Sequence, residues 1–261
     1  MNQALVQRHR ALREAETKAE QLFARIEETG IIRSGASEKQ INQEIYELAF
    51  QMFGIKKYWH KRIVRAGKNT LHPYRENPPD LIVTPEDIIF LDFGPIFEDW
   101  EADLGRTYVL GNDTMKIKLR DDIEKAWDLG KAYFESKPDI TSSELFHYMC
   151  QVAEENGWEF GGPHAGHLIG EFPHEKIQGE DIVNYIHPDN NKPMRDPDHN
   201  GHPRDWILEV HFVDRTLEIG GFVEKLLTVD KSVIFIHSRC QWMGEGAIMG
   251  IEYTILHIAY R

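Results

Sequence analysis

The sequence predicts an α+β protein rather than one of alternating βαβ units. Helical periodicity is confined to two blocks, one early and one mid-chain. Each block is followed by short apolar runs broken by Gly and Pro, the pattern of antiparallel strands grouped apart from helices. In the first block Leu5, Leu12, Ala15, Ala19, Leu22 and Ile26 keep to one helical face, and Gly30 stands where a C-terminal cap belongs. A second helix is expected from Ser37, with Gln40 three residues on as a capping box, to about Gly54. Its apolar stripe is Ile41, Ile45, Leu48, Ala49 and Met52. Strands are expected at 63–66, 81–84, 88–93 and 107–110, then helices at about 118–136 and about 142–156. The last helix starts at Thr141-Ser142-Ser143-Glu144, another capping box. Further strands are expected at 207–213, 222–228, 233–236 and 251–259. Residues 178–204, polar and holding four prolines, read as a long loop, first a solvated excursion and otherwise a lid or a second-subunit contact. With no repeat and no linker, residues 1–261 are expected to form one domain.

Composition narrows the function. The chain has 261 residues, a net charge of −13, 41% hydrophobic and 28% charged residues. Such an acid excess argues against binding nucleic acid or anionic lipid, which need clustered Lys and Arg. Mean hydropathy is −0.49, and no apolar run approaches the roughly 20 residues of a membrane span. The N-terminus carries no apolar signal core, and Cys150 and Cys240 are the only cysteines. A cytoplasmic protein without a disulfide scaffold or thiolate metal cage is expected.

Three acids stand inside apolar β-like runs: Asp92 in Ile-Ile-Phe-Leu-Asp-Phe, Glu209 in Trp-Ile-Leu-Glu-Val-His-Phe, and Glu252 in Ile-Met-Gly-Ile-Glu-Tyr-Thr-Ile-Leu. One such acid ordinarily faces solvent on a half-buried strand. Three buried together would repel unless cations lay between them, and a metal cluster is the natural solution. Asp103 joins them, eleven residues after Asp92, a distance that a hairpin through Gly94-Pro95 folds back across. Taken alone it is equally a loop acid paired with Arg106. Seven of the 13 histidines fall between 164 and 211: His164, His167, His174, His187, His199, His202 and His211. His167, in Gly166-His167-Leu168-Ile169-Gly170, is flanked by glycines that let backbone approach a site closely. Four carboxylates and one imidazole form a hard, oxygen-rich set suited to Mn, Co, Fe or Zn in a two-metal site.

The order Asp, Asp, His, Glu, Glu resembles the pita-bread metallopeptidases, the family of methionine aminopeptidase, aminopeptidase P, prolidase and the metal-free creatinase. Leu91-Asp92-Phe93-Gly94 and Ala102-Asp103-Leu104-Gly105-Arg106-Thr107 are similar to its paired-aspartate signature. His167 resembles its glycine-flanked metal histidine, His174 its second histidine seven residues on, and His72 its early substrate-facing histidine. The resemblance implies the pita-bread fold, two divalent ions sharing a water or hydroxide, and a homodimer. It implies Asp92, Asp103, His167, Glu209 and Glu252 as metal ligands, with Asp103 and Glu252 bridging. Glu209 would shuttle the proton, His174 would steady the oxyanion, and His72, His164 and His174 would face the substrate. The implied substrate is a small peptide losing its N-terminal residue, or a small amide.

The markers of the named subfamilies are changed. Val210 follows Glu209 where the peptidases usually have proline, and Gly250 stands where prolidase and aminopeptidase P carry arginine. His164 lies three residues before His167 rather than four, and Pro173 replaces the aromatic of methionine aminopeptidases. No creatinase-like N-terminal domain is expected, because helices lead directly to His72. The rivals to a peptidase are a creatinase-like C–N hydrolase on the same fold, a di-iron redox enzyme, and a silent binding module.

Overall fold

A computed structural model describes residues 3–174, 181–198 and 201–229. The elements in chain order are α1 (Gln3–Thr29), α2 (Glu38–Phe53), β1 (Ile63–Ala66), β2 (Ile88–Phe93), β3 (Ile96–Phe97), β4 (Trp100–Glu101), β5 (Leu104–Val109), α3 (Thr114–Ser136), α4 (Ser142–Glu155), β6 (Glu159–Phe160), β7 (Leu168–Ile169), β8 (Asp205–Asp214) and β9 (Ile219–Leu226). The expected helix signals operate. Ser37 Oγ accepts from the Gln40 N–H, and Gly54 closes α2 in the left-handed conformation. Thr141 and Glu144 complete a reciprocal capping box on α4. On α2 the box is half made, because the Gln40 side chain turns to Glu44. The strands expected at 233–236 and 251–259 lie outside the described residues, as does Cys240.

Residues 81–84 do not form a strand. They make one isolated bridge, Ser37 to Ile82, and Glu38 replaces a partner strand. The buried Glu38 carboxylate accepts from the Ala66 N–H at 2.6 Å, the Asn69 amide at 2.9 Å and the Leu81 N–H at 3.2 Å.

The main sheet is antiparallel, ordered β1-β2-β5-β9-β8-β6, with β7 also paired to β8. Its two faces differ in kind. On one face Leu91 and Ile89 pack under α1 and α2, while Leu208, Val210 and Val223 pack under α3 and α4. Trp127 pins α3 to that face by donating to the Leu208 carbonyl at 2.9 Å. The other face carries the acids. Asp92 is opposite Gly105, Gly105 opposite Glu224, and Glu224 opposite Glu209. Cross-strand partners point to one face, so a single row across β2, β5, β9 and β8 holds three carboxylates. The next row, Phe90, Thr107, Phe222 and His211, is a mainly aromatic floor, with Phe90 and Phe222 centred 5.3 Å apart.

The segment after β7 is less solvated than expected. Ile186 and Met194 are fully buried in the core beside α3 and α4. Trp206 donates to the Met194 carbonyl, and Arg195 donates to the carbonyls of Phe134, Lys137 and Pro138 at the end of α3. The proline-rich composition marks irregular backbone, which here is anchored by side chains.

Candidate metal centre

Asp103 is the hub of the site. It lies just ahead of β5, buried, at the return of the β3–β4 excursion. Its Oδ1 is 3.1 Å from His60 Nε2, and its Oδ2 is 3.1 Å from His167 Nε2. The two oxygens therefore belong to two donor groups: His60, Asp92 and Asp103 on one side, Asp103, His167 and Glu224 on the other. A carboxylate offering one oxygen to each group has the disposition of a bridge.

The surrounding charges set the protonation of these groups. Burial pushes Asp92 up to about 7, with repulsion from Asp103 and Glu209 adding to it and His60 opposing. Burial and the Asp103 charge hold Glu224 well above the usual carboxylate range. Asp103 goes the other way, to about 2, because His60 and His167 outweigh its burial. Burial opposes the charge on His60, but Asp103 and Asp92 together raise it to about 9. His167 is raised well above its ordinary value by Asp103 and Glu224 against the same penalty.

The donor set fits divalent cations. Asp92 Oδ1 and Glu224 Oε1 are buried and have no hydrogen-bond partner among the described residues. His60 Nε2 stands 3.5 Å from the first and His167 Nε2 3.4 Å from the second. Buried carboxylate oxygens left without donors are costly, and a cation between them removes the cost.

Backbone permits this crowding at two glycines. A Cβ on Gly94 would stand 2.2 Å from the His60 ring and 2.4 Å from Trp59 Nε1. Gly166 has φ +130, and a Cβ there would meet the Ile207 carbonyl at 2.1 Å, so glycine alone lets the His167 segment lie against β8.

The expected residues reach different places. Asp92, Asp103 and His167 come together. Glu209 stands at the end of the acid row with His164 Nδ1 2.7 Å from its Oε1, and belongs to neither compact donor group. His164 lowers the Glu209 carboxyl against the effect of burial. Glu252 and His199 lie outside the described residues. His174 hydrogen-bonds through Nδ1 to Glu101 Oε2 at 2.8 Å, and its ring meets Trp59 edge-on at 5.5 Å.

His72 is not brought into the cluster. It ends a 3-10 turn and pairs with Glu76 four residues on, half exposed. His187 and His202 pair locally with Asp189 and Asp198. His211 is buried and donates to the Thr70 carbonyl, and burial lowers its pKa.

Four residues of the site escape sequence reasoning. Glu224 is hidden by its neighbour Lys225, which makes 222–228 look like an ordinary half-solvated strand. His60 sits before Lys61-Arg62, so it reads as a surface histidine. Glu101 reads as a hairpin acid, yet it is buried and accepts from the backbone N–H groups of Gly170 and His174. Trp59 donates to the Ala102 carbonyl and touches His60, His167 and His174 with one ring.

Residues 10–198 match metallopeptidase family M24. The chain belongs to that family. The match ends ahead of β8, so the places of Glu209 and Glu224 rest on the register and distances above. The Xaa-Pro dipeptidase of Lactobacillus helveticus is 32% identical over 158 residues, 58% of this chain and 42% of that protein. The dipeptidase structure from Pyrococcus horikoshii OT3 superposes with a TM-score of 0.68 at 21% identity, over 88% of this chain and 58% of that one. The Thermococcus sibiricus prolidase gives 0.67 at 20% identity, over 85% and 56%. These likenesses establish the pita-bread fold. This M24 chain spans less than half the length of the curated dipeptidase it matches.

Proposed function

We propose that this M24 chain is a metal-dependent hydrolase that releases the N-terminal residue of small peptides, with Xaa-Pro dipeptides as the first substrates to test. The observation that carries the reading is the Asp103 carboxylate, one oxygen turned to each of two His/carboxylate groups. The names of the relatives, Xaa-Pro dipeptidase and prolidase, support the substrate class. Asp92, Asp103, His167, Glu209 and Glu224 would hold two divalent cations drawn from Mn, Co, Fe or Zn, with manganese our first choice. Bound there, the cations would supply Lewis-acid polarisation of the scissile carbonyl and an acidic water at neutral pH.

The chain's own groups then have defined work. Glu209 accepts a proton from the attacking water on a carboxylate oxygen and passes it to the leaving amine. His164 keeps that carboxylate ionised and oriented. Glu101 accepts from His174 Nδ1, so the proton there is fixed and the second ring nitrogen is left for the substrate carbonyl. Trp59 beside the histidines and the Phe90–Phe222 row beside the acids place apolar surface against the site, which limits water. Glu252, the second bridging acid that the resemblance implies, lies outside the described residues, and Glu224 adds a carboxylate beside Asp103 and His167.

Among the described residues no helix is long and apolar enough to cross a membrane. The cysteine count and acid excess support a cytoplasmic protein without nucleic-acid or membrane partners, and the family resemblance supports a homodimer. Metal-stripped protein reloaded with Mn, Co, Fe or Zn should be assayed against dipeptides with and without proline and against small amides. Cleavage of dipeptides only after metal addition is expected. Turnover of amides with every peptide left intact contradicts the reading in favour of a creatinase-like hydrolase.

A further inference from the structure

His60 and His167 are built alike. His167 Nδ1 lies 2.8 Å from the carbonyl of the next residue, Leu168, and His60 Nδ1 lies 2.8 Å from the carbonyl of the next residue, Lys61. A carbonyl only accepts, so each Nδ1 carries a proton and each Nε2 is the nitrogen turned to the acids. Each Nε2 faces one oxygen of Asp103 at 3.1 Å and a second carboxylate at 3.4–3.5 Å, Glu224 for His167 and Asp92 for His60. An imidazole whose far nitrogen is tied to a backbone carbonyl and whose near nitrogen enters an oxygen cluster is the ordinary arrangement of a metal-binding histidine. His60 is also held there by design of the surroundings. Its side chain is 7% exposed, Trp59 stacks edge-on at 4.4 Å, and the missing side chain of Gly94 is the space its ring occupies.

We infer that His60 is a metal ligand, supplying a nitrogen donor to the cation held by Asp92 and Asp103, so that each of the two metals carries one imidazole. This rests on the two-metal reading above and adds a residue that the Asp, Asp, His, Glu, Glu pattern does not contain. A nitrogen donor on the Asp92 side makes that position less oxygen-rich and shifts its preference from Mn toward Co, Fe and Zn.

The wild-type protein tests the assignment without a variant. X-ray absorption of enzyme loaded with two Zn or two Co ions should show imidazole scattering equal to an average of one histidine per metal. His60→Ala should lose one of the two ions, or bind it at least 10-fold more weakly by titration calorimetry, and the scattering of the remaining ion should be unchanged. His60→Gln, which keeps a polar group of similar reach and guards against loss of fold, should weaken the same ion. Half a histidine per metal in the wild type, or unchanged stoichiometry and affinity in both variants, overturns the assignment of His60 while leaving the two-metal site standing. A wild-type chain that takes up no divalent ion overturns both.

Discussion

At the scale of the residue, the proposed chemistry rests on a few buried carboxylates whose mutual repulsion a cation between them would relieve. Asp103→Ala should therefore strip the site of both groups at once. Metal content by elemental analysis is expected to fall by at least one ion per chain and peptide hydrolysis by ~10³-fold or more, with the circular dichroism spectrum kept. Glu101→Gln should act differently, since Glu101 touches no donor group and works through His174. The expected result is a kcat about 10- to 100-fold lower with little change in KM and full metal content. A change in metal content instead would place Glu101 among the ligands. Asp92, Asp103 and His167 were legible in the sequence because each has a local signature: an acid within an apolar strand, a fixed spacing, a glycine on either side. Glu224 and His60 have basic neighbours in sequence, Lys225 and Lys61, and only cross-strand register or tertiary packing turns them inward.

At the scale of the element, the helices were legible from periodicity and, for α2 and α4, from caps, although α3 starts at its Asp113 cap ahead of the expected 118. The runs at 63–66, 88–93, 107–110, 207–213 and 222–228 overlap β1, β2, β5, β8 and β9. The strand at 81–84 failed because its hydrogen bonds go to Ala36 and to the Glu38 carboxylate rather than to a neighbouring strand. A buried acid that organises three backbone or amide donors has no sequence signature. Two substitutions test how the elements hold the site. Thr141→Ala removes the reciprocal cap of α4 and should cost about 1 kcal/mol in denaturant unfolding without affecting activity. Gly166→Ala forces a Cβ to within 2.1 Å of the Ile207 carbonyl at a φ that L residues avoid. It should cost at least ~2 kcal/mol and weaken metal binding together, because β8 and His167 are displaced as a unit. Loss of stability with unchanged metal affinity would show that the strap carrying His167 is positioned from elsewhere.

At the scale of the whole molecule, one face of the antiparallel sheet pays for the other. Helices bury Leu91, Leu208, Val210 and Val223 on the apolar face, and the acids on the opposite face are affordable only with counter-charge. On the proposed two-metal reading, folding and metal loading would be linked. A divalent ion at 100 times its Kd stabilises the folded chain by about 2.7 kcal/mol. The pH dependence of the metal-free protein has a definite sign. Asp92 is raised from 3.8 to about 7 and His60 from 6.5 to about 9, so the folded state holds more protons than the unfolded one. The His60 contribution is complete below pH 6.5 and is lost as pH rises through 9, and Asp92 becomes a liability from about pH 4 to 7. Asp103, lowered to about 2, contributes only above its ordinary pKa and is lost in strong acid. Thermal unfolding of stripped protein should therefore show a Tm that falls from pH 6 to pH 9, and metal addition should flatten the profile. A stripped protein whose Tm rises over that range would contradict the charge assignment.

Asp103 would join two divalent cations, one beside Asp92 and His60, the other beside His167 and Glu224. Anomalous diffraction from crystals loaded with manganese tests it most directly. Two peaks are predicted about 3.5–4 Å apart, one on each oxygen of Asp103, with Glu224 at the second. A single peak remote from Asp103, or two peaks that leave its carboxylate unliganded, would contradict the account.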